Sequence, residues 1–138
     1  IRSKNTIADL SWYAYRDLLQ YDPRPFVAAA FQRNPVAIEA LHRETIDTII
    51  DRIQAFPGDS IYDDAGRIAQ PDEVFNYGRG DGVEKALLAA TILNKKMPNE
   101  KISIDIAPDR ACLRCESQEI CFSSRKQLPK QQWTNSLY

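Results

Sequence analysis

The stretch NYGRGDGVEKALLAATILNKK, residues 76–96, decides the fold because it joins a glycine-marked loop to an apolar helix. Glycine stands at positions 78, 80 and 82, and apolar residues then continue almost all the way round a helical wheel to Leu93. A helix that is apolar on every side is typical of a buried position. The pattern predicts a central buried helix over residues 83–95, with Asp81 as its N-cap.

The sequence that follows this helix predicts strands. In KISIDI, residues 101–106, isoleucine alternates with polar residues, as in a half-buried strand. RACLRC and EICFSS flank a short polar turn, which favours a hairpin of strands over 109–115 and 118–124. The remaining polar tail contains Trp133, which we interpret as a possible docking anchor. The expected architecture is α+β, with a small antiparallel sheet of about three strands packed on the central helix.

The sequence before the loop predicts helices. Apolar spacing indicates a helix over 6–21, a short alanine-rich helix after the DPRP break, and a long helix to residue 53 that Asn34 caps. PDEVFNY, residues 71–77, reads as a further short helix with proline at its first position. We expect a single domain over 1–138, made of a helical part (1–57) and a helix-plus-sheet part (58–138).

The composition excludes some classes of partner. The 138 residues carry a net charge of −1, so the overall charge favours neither nucleic acid nor an anionic membrane. No run of about 18 apolar residues predicts a membrane-spanning helix. The chain begins at Ile1, and we expect a processed chain or a piece of a longer protein. The glycine loop lacks the Lys-Ser/Thr ending of a phosphate-binding loop and has no strand before it, so no nucleotide cofactor is predicted.

The histidine and the aspartates predict no metal site. His42 is the single histidine and lies on an apolar helix face, where it is either a core residue or a general base beside a cleft. Asp59, Asp63 and Asp64 do not have the spacing of a calcium loop, so we interpret their segment as a solvated loop.

The three cysteines leave three alternatives open. Cys112 and Cys115 form a C-x-x-C pair, and Cys121 follows on the next predicted strand. They are buried strand residues, metal ligands that lack a fourth partner, or redox-active or nucleophilic thiols. The predicted hairpin could place Cys112 opposite Cys121, which would allow contact between them without requiring a disulfide. The odd count nevertheless favours free thiols in a reducing compartment.

Residues 71–93, PDEVFNYGRGDGVEKALLAATIL, resemble the nucleophile segment of transglutaminase-like domains in the papain-like cysteine superfamily. The likeness rests on Gly80, Asp81, Glu84 and the alanine and leucines that follow them. The resemblance implies that the family's nucleophilic cysteine falls on Gly82. It also implies that the catalytic histidine falls within 109–112 and the acidic residue near Ser123 and Ser124.

Because a thiolate needs both a sulfur and a neighbouring base, the resemblance implies a degenerate relative without acyl-transfer activity. We expect a non-catalytic module that binds a protein or polymer, with Gly82 leaving space above the helix N-terminus. The candidate cleft residues are Tyr77, Arg79, Asp81, Gly82 and Glu84. The alternatives are a structural domain of a larger assembly, or an enzyme that uses Asp81, Glu84, His42 or Cys112.

Overall fold

The computed structural model describes residues 18–19, 22–116 and 118–135 of the chain. The helices in this part are α1 (Arg24–Gln32), α2 (Pro35–Leu41), α3 (Ile46–Ala55), α4 (Pro71–Tyr77) and α5 (Gly82–Lys96). The strands are β1 (Ile102–Ala107), β2 (Arg110–Cys115), β3 (Gln118–Ser123) and β4 (Gln131–Thr134). The fold is α+β, as the sequence predicts.

The strands form one antiparallel sheet in the order β3-β2-β1-β4. The predicted hairpin is β2 and β3, and the strand predicted over 101–106 is β1. The expectation of about three strands is one too few, because the tail supplies β4. Trp133 lies opposite Ile104 and is buried in the core, so it anchors the tail to the sheet as part of β4 and is not exposed to a partner.

The helix α5 lies at the centre of the molecule, as predicted. Every residue from Gly82 to Leu93 is buried. Helices α1 to α4 and strands β1 to β3 all contact α5, so it lies between a helical layer and the sheet. Asp81 caps it by accepting a hydrogen bond from the Val83 N–H at 2.9 Å, and Glu84 completes a capping box.

The long helix predicted from Asn34 to residue 53 is two helices. The first ends at Leu41, with His42 as its C-cap, and Thr45 caps the second by accepting a hydrogen bond from the Thr48 N–H at 3.2 Å. Asn34 does not cap α2 through its side chain. The carboxylate of Asp72 does so from α4, because it accepts the Ala37 N–H at 2.8 Å.

The helix predicted over 6–21 lies outside the described residues except for Leu18 and Leu19. Leu18 is buried in the core, and its N–H donates to the Gly66 carbonyl at 2.7 Å. Among the residues described, none of the helices combines the length and the apolar character needed to span a bilayer.

Candidate functional site

Asp81, just before α5, joins the start of this helix to the segment that follows β3. Its carboxylate is buried, and Oδ2 accepts hydrogen bonds from the Val83 N–H and from the Ser124 hydroxyl at 2.7 Å. Oδ1 accepts the Arg125 N–H at 2.7 Å. The side chain therefore caps α5 and also fixes the segment that follows β3 against the helix N-terminus.

Glu84, in the first turn of α5, fixes the loop that precedes α4 against the N-terminus of this helix. The residue is 0% exposed. Its Oε1 accepts the Asp81 N–H at 2.8 Å, and its Oε2 accepts the Ala69 N–H at 2.6 Å and the Ser60 hydroxyl at 2.8 Å. Burial raises the pKa of Glu84 above its ordinary value, although these hydrogen bonds act in the opposite direction.

Lys126 is a third charged member of this region, and no sequence pattern indicates its place there. The residue is only 4% exposed, and its Nζ donates to the carbonyls of Tyr62 at 2.8 Å and Asp64 at 2.9 Å. Burial lowers the pKa of Lys126, and the negative charges of Glu84 and Asp81 oppose that shift. The ammonium group thus holds the loop around residue 62 in place.

Lys85 of α5 binds the start of the segment that connects α3 to α4. Its Nζ donates to the Phe56 carbonyl at 2.6 Å, just beyond the end of α3. Burial lowers the pKa of Lys85, with the charge of Asp81 opposing the shift. The charged residues of this region thus all bond to backbone groups, which is the usual way in which buried charges are stabilised.

Gly82 is the first residue of α5, and the chain of β3 passes directly over it. A Cβ placed on Gly82 would overlap the Ser123 carbonyl oxygen, and it would lie 2.6 Å from the Ser123 carbonyl carbon and 3.0 Å from that of Phe122. The expected space above the helix N-terminus is therefore filled. Among the described glycines, Gly78 has a positive φ, +65°, at the end of α4, and Gly82 does not.

The positions that the resemblance singled out lie near one another. Gly82 meets the backbone of Ser123, and the Ser124 N–H donates to the Asp109 carbonyl at 2.9 Å. The end of β3, the turn before β2 and the start of α5 therefore meet at one place. The residues there are Gly82, Ser123, Ser124, Asp109 and the hydrogen-bonded Asp81.

An open cleft of about 370 Å³ lies beside this place. It is lined by Gly58, Asp59, Ser60, Tyr62, Asp63, Ala65, Arg79, Asp81, Arg125 and Lys126. Of the five predicted cleft residues, Arg79 and Asp81 line it. Gly82 and Glu84 are buried behind it, and Tyr77 is 66% exposed but is not part of its lining. We call this cavity the Arg79 cleft.

The remaining candidate catalytic residues lie elsewhere. His42 follows the end of α2, where its Nδ1 lies 2.8 Å from the Ile38 carbonyl oxygen. Cys112 and Cys121 form a disulfide between β2 and β3, whereas Cys115 is free and buried. The expectation of three free thiols is therefore wrong for Cys112 and Cys121. Directly opposed strand positions bring their sulfurs together, whereas Cys115 points to the other face of the sheet.

Comparison with protein-family models, with curated proteins and with solved structures finds no match to this chain. The transglutaminase-like resemblance therefore stays a prediction from residues 71–93.

Proposed function

We propose that this domain is a non-catalytic, transglutaminase-like binding module that holds a polar polypeptide segment of a protein partner in the Arg79 cleft. The observation that carries the proposal is the contrast between two neighbouring sets of charges. Asp81 and Glu84 are buried and accept hydrogen bonds mainly from backbone N–H groups. Arg79, Arg125 and Asp59 stand exposed at the cleft beside them.

The absence of catalysis is argued from the residue types at the meeting point of α5 and β3. Acyl transfer by this superfamily's chemistry requires a thiolate and a base that activates it. Gly82 has no side chain, and the chain's one histidine, His42, belongs to the end of α2. The three hydrogen bonds accepted by the Asp81 carboxylate favour a structural role for it over that of a general base.

The nature of the ligand is argued from the lining of the cleft. Asp59 and Asp63 contribute negative charge, and Arg79 and Arg125 contribute positive charge. A polyanion is disfavoured by the aspartates, whereas a polypeptide with side chains of both signs finds partners for each. An ion pair between Arg125 and Asp59, at 3.7 Å, spans the cleft; it is exposed and is therefore easily exchanged for a ligand's charges.

The test is selection of peptides from a random library on the purified domain, followed by mapping of the strongest binder by amide chemical shifts. We expect the perturbed amides to lie at residues 58–65, Arg79 and Arg125. We also expect Arg79→Glu combined with Arg125→Glu to weaken binding about tenfold or more, whereas Arg33→Glu, an exposed charge on the end of α1, leaves it unchanged. Peptides that map elsewhere, or that bind the double variant normally, would contradict the proposal.

A second candidate function is a structural domain of a larger assembly, and the filled position above Gly82 favours it. In this case the Arg79 cleft has no ligand of its own, and the same library gives no peptide that maps to it. The double charge reversal at Arg79 and Arg125 then leaves the binding of any selected peptide unchanged, and it leaves the assembly of the larger complex unchanged. The two candidates therefore predict opposite results in one experiment.

A further inference from the structure

The outer face of the sheet carries a polar row that crosses all four strands. Cys112 on β2 lies directly opposite Asp105 on β1 and Cys121 on β3, and Asp105 in turn lies opposite Gln132 on β4. Side chains at directly opposed positions share one face of the sheet. The core residues of these strands, such as Ile104, Leu113 and Phe122, belong to the other face.

Glu119 brings a carboxylate to the two cysteines of this row. The two sulfurs and a carboxylate oxygen of Glu119 all lie within 4.8 Å of one another. Glu119 Oε1 lies 3.7 Å from the Cys121 sulfur, and a disulfide sulfur has no proton to donate, so this is a contact and not a hydrogen bond. Arg114 Nε binds Oε2 at 2.6 Å, which leaves Oε1 directed at the sulfurs.

We propose that reduction of the Cys112–Cys121 disulfide creates a zinc-binding site made of Cys112, Cys121 and Glu119. A dithiol attacks the sulfur of Cys121, the disulfide bond breaks, and Cys112 leaves as a thiolate. The second thiol of the reductant completes its own disulfide and releases Cys121. The ion then binds both cysteine sulfurs as thiolates, and the two protons given up by the dithiol pass to solvent.

The ligand types suit zinc. Two thiolates and a carboxylate are all common zinc ligands, and a site with three protein ligands leaves a fourth position for water or another group. The neighbouring Asp105 carboxylate is already held by Arg114 at 3.1 Å and by Gln132 at 2.8 Å. Three negative ligands around a divalent ion leave one negative charge, and the Arg114 guanidinium, which pairs with both Glu119 and Asp105, lies beside it.

The position of the pair makes it accessible to a reductant. Cys121 is exposed and lies on β3, which is an edge strand of the sheet. Cys115, three residues from Cys112, is buried on the opposite face and belongs to the hydrophobic core. The free thiol therefore does not compete for the metal, and Cys115→Ala is a matched control for the two cysteines of the site.

The experiment is titration of the whole chain with Co²⁺ and then Zn²⁺, after reduction by a phosphine and its removal without oxygen. We expect the reduced protein to bind one equivalent and to show thiolate-to-cobalt charge-transfer absorption that Zn²⁺ abolishes. We expect the oxidised protein to show none. Reduced protein that binds neither ion at micromolar concentration, or oxidised protein that binds equally well, would overturn the proposal.

Variants identify the ligands. Glu119→Gln should weaken Zn²⁺ binding by the reduced protein about tenfold or more, whereas Glu116→Gln removes the same charge from the same hairpin and should have no effect. Cys121→Ser should abolish the charge-transfer band, and Cys115→Ala should keep it. Equal Zn²⁺ affinities for Glu119→Gln and Glu116→Gln would contradict the proposal. This comparison therefore tests the proposal even when a cysteine variant does not fold.

Discussion

Ser124 donates a hydrogen bond to Asp81 at 2.7 Å, across 43 residues of chain, and both residues are buried. The contact fixes the end of β3 to the N-terminus of α5. At the same carboxylate, the Arg125 N–H is bonded to Oδ1. The residue that the resemblance would place beside a nucleophile thus connects a helix to a sheet.

The first prediction concerns Asp81. Asp81→Ala removes the helix cap and leaves the part-buried Arg125 N–H and the buried Ser124 hydroxyl without their acceptor, so we expect a loss of about 2–4 kcal/mol in the free energy of unfolding. Asp81→Ser keeps a capping oxygen, although that oxygen does not reach the Arg125 N–H. Its loss in the free energy of unfolding should therefore be smaller than that of Asp81→Ala. Chemical denaturation measures both. In a cycle with Ser124→Ala, additive losses would show that the two side chains are not coupled.

The second prediction concerns pH and Glu84. Its pKa is raised in the folded state above the ordinary value of 4.5, so the folded protein binds this proton more tightly than the unfolded chain does. Its contribution to stability is therefore greatest below pH 4.5 and falls as the pH rises through the folded pKa. Glu84→Gln should cost about 1–3 kcal/mol, because its amide would face the Ala69 N–H.

The measurement is the stability difference between wild type and Glu84→Gln at pH 4 and at pH 7. We expect this difference to narrow as the pH rises. Glu39→Gln, an exposed glutamate of α2, serves as the control and should show a difference close to zero at both values. A difference for Glu84→Gln that widens with pH would contradict the raised pKa.

The third prediction concerns Lys126 and the loop that forms one wall of the Arg79 cleft. Lys126→Met keeps most of the apolar stem but leaves the Tyr62 and Asp64 carbonyls without the ammonium donor. We expect a loss of about 1–3 kcal/mol and faster amide hydrogen exchange at residues 60–66. Lys130 is an exposed lysine in the same segment between β3 and β4, and Lys130→Met should change neither the free energy of unfolding nor the exchange at residues 60–66. Unchanged exchange in the Lys126 variant would show that the lysine does not hold the loop.

The sequence predicts the elements whose signals are local. The apolar circumference of α5 and the isoleucine alternation of β1 both reflect burial of the segment itself, and both elements are where the pattern places them. The strand β4 is missed because its pairing with β1 is long-range and Trp133 is its one apolar residue. The break after His42 is missed because the apolar spacing continues on both sides of it.

The candidate site was predicted only in part, for a similar reason. Asp81 and Glu84 carry the local signature of a helix N-terminus, so their place was predictable. Their hydrogen-bond partners Ser60 and Ser124 and the nearby charge of Lys126 come from distant loops, and nothing in those polar segments indicates that Ser124 and Lys126 are buried. The filled position above Gly82 likewise depends on where β3 passes, which the alternation of β3 does not specify.

The packing of β3 against the N-terminus of α5 is tested most directly by the stability of Gly82→Ala, because this packing places the β3 backbone against Gly82. Gly82 is helical without a positive φ, so alanine on its own would be neutral or stabilising by up to about 1 kcal/mol. The overlap with Ser123 should instead lower the free energy of unfolding by about 1–3 kcal/mol, with an unchanged denaturant m-value. Gly58→Ala, which has open space around it, should be neutral. A Gly82→Ala protein as stable as wild type would show that the helix N-terminus is open and would contradict the packing of β3 against it.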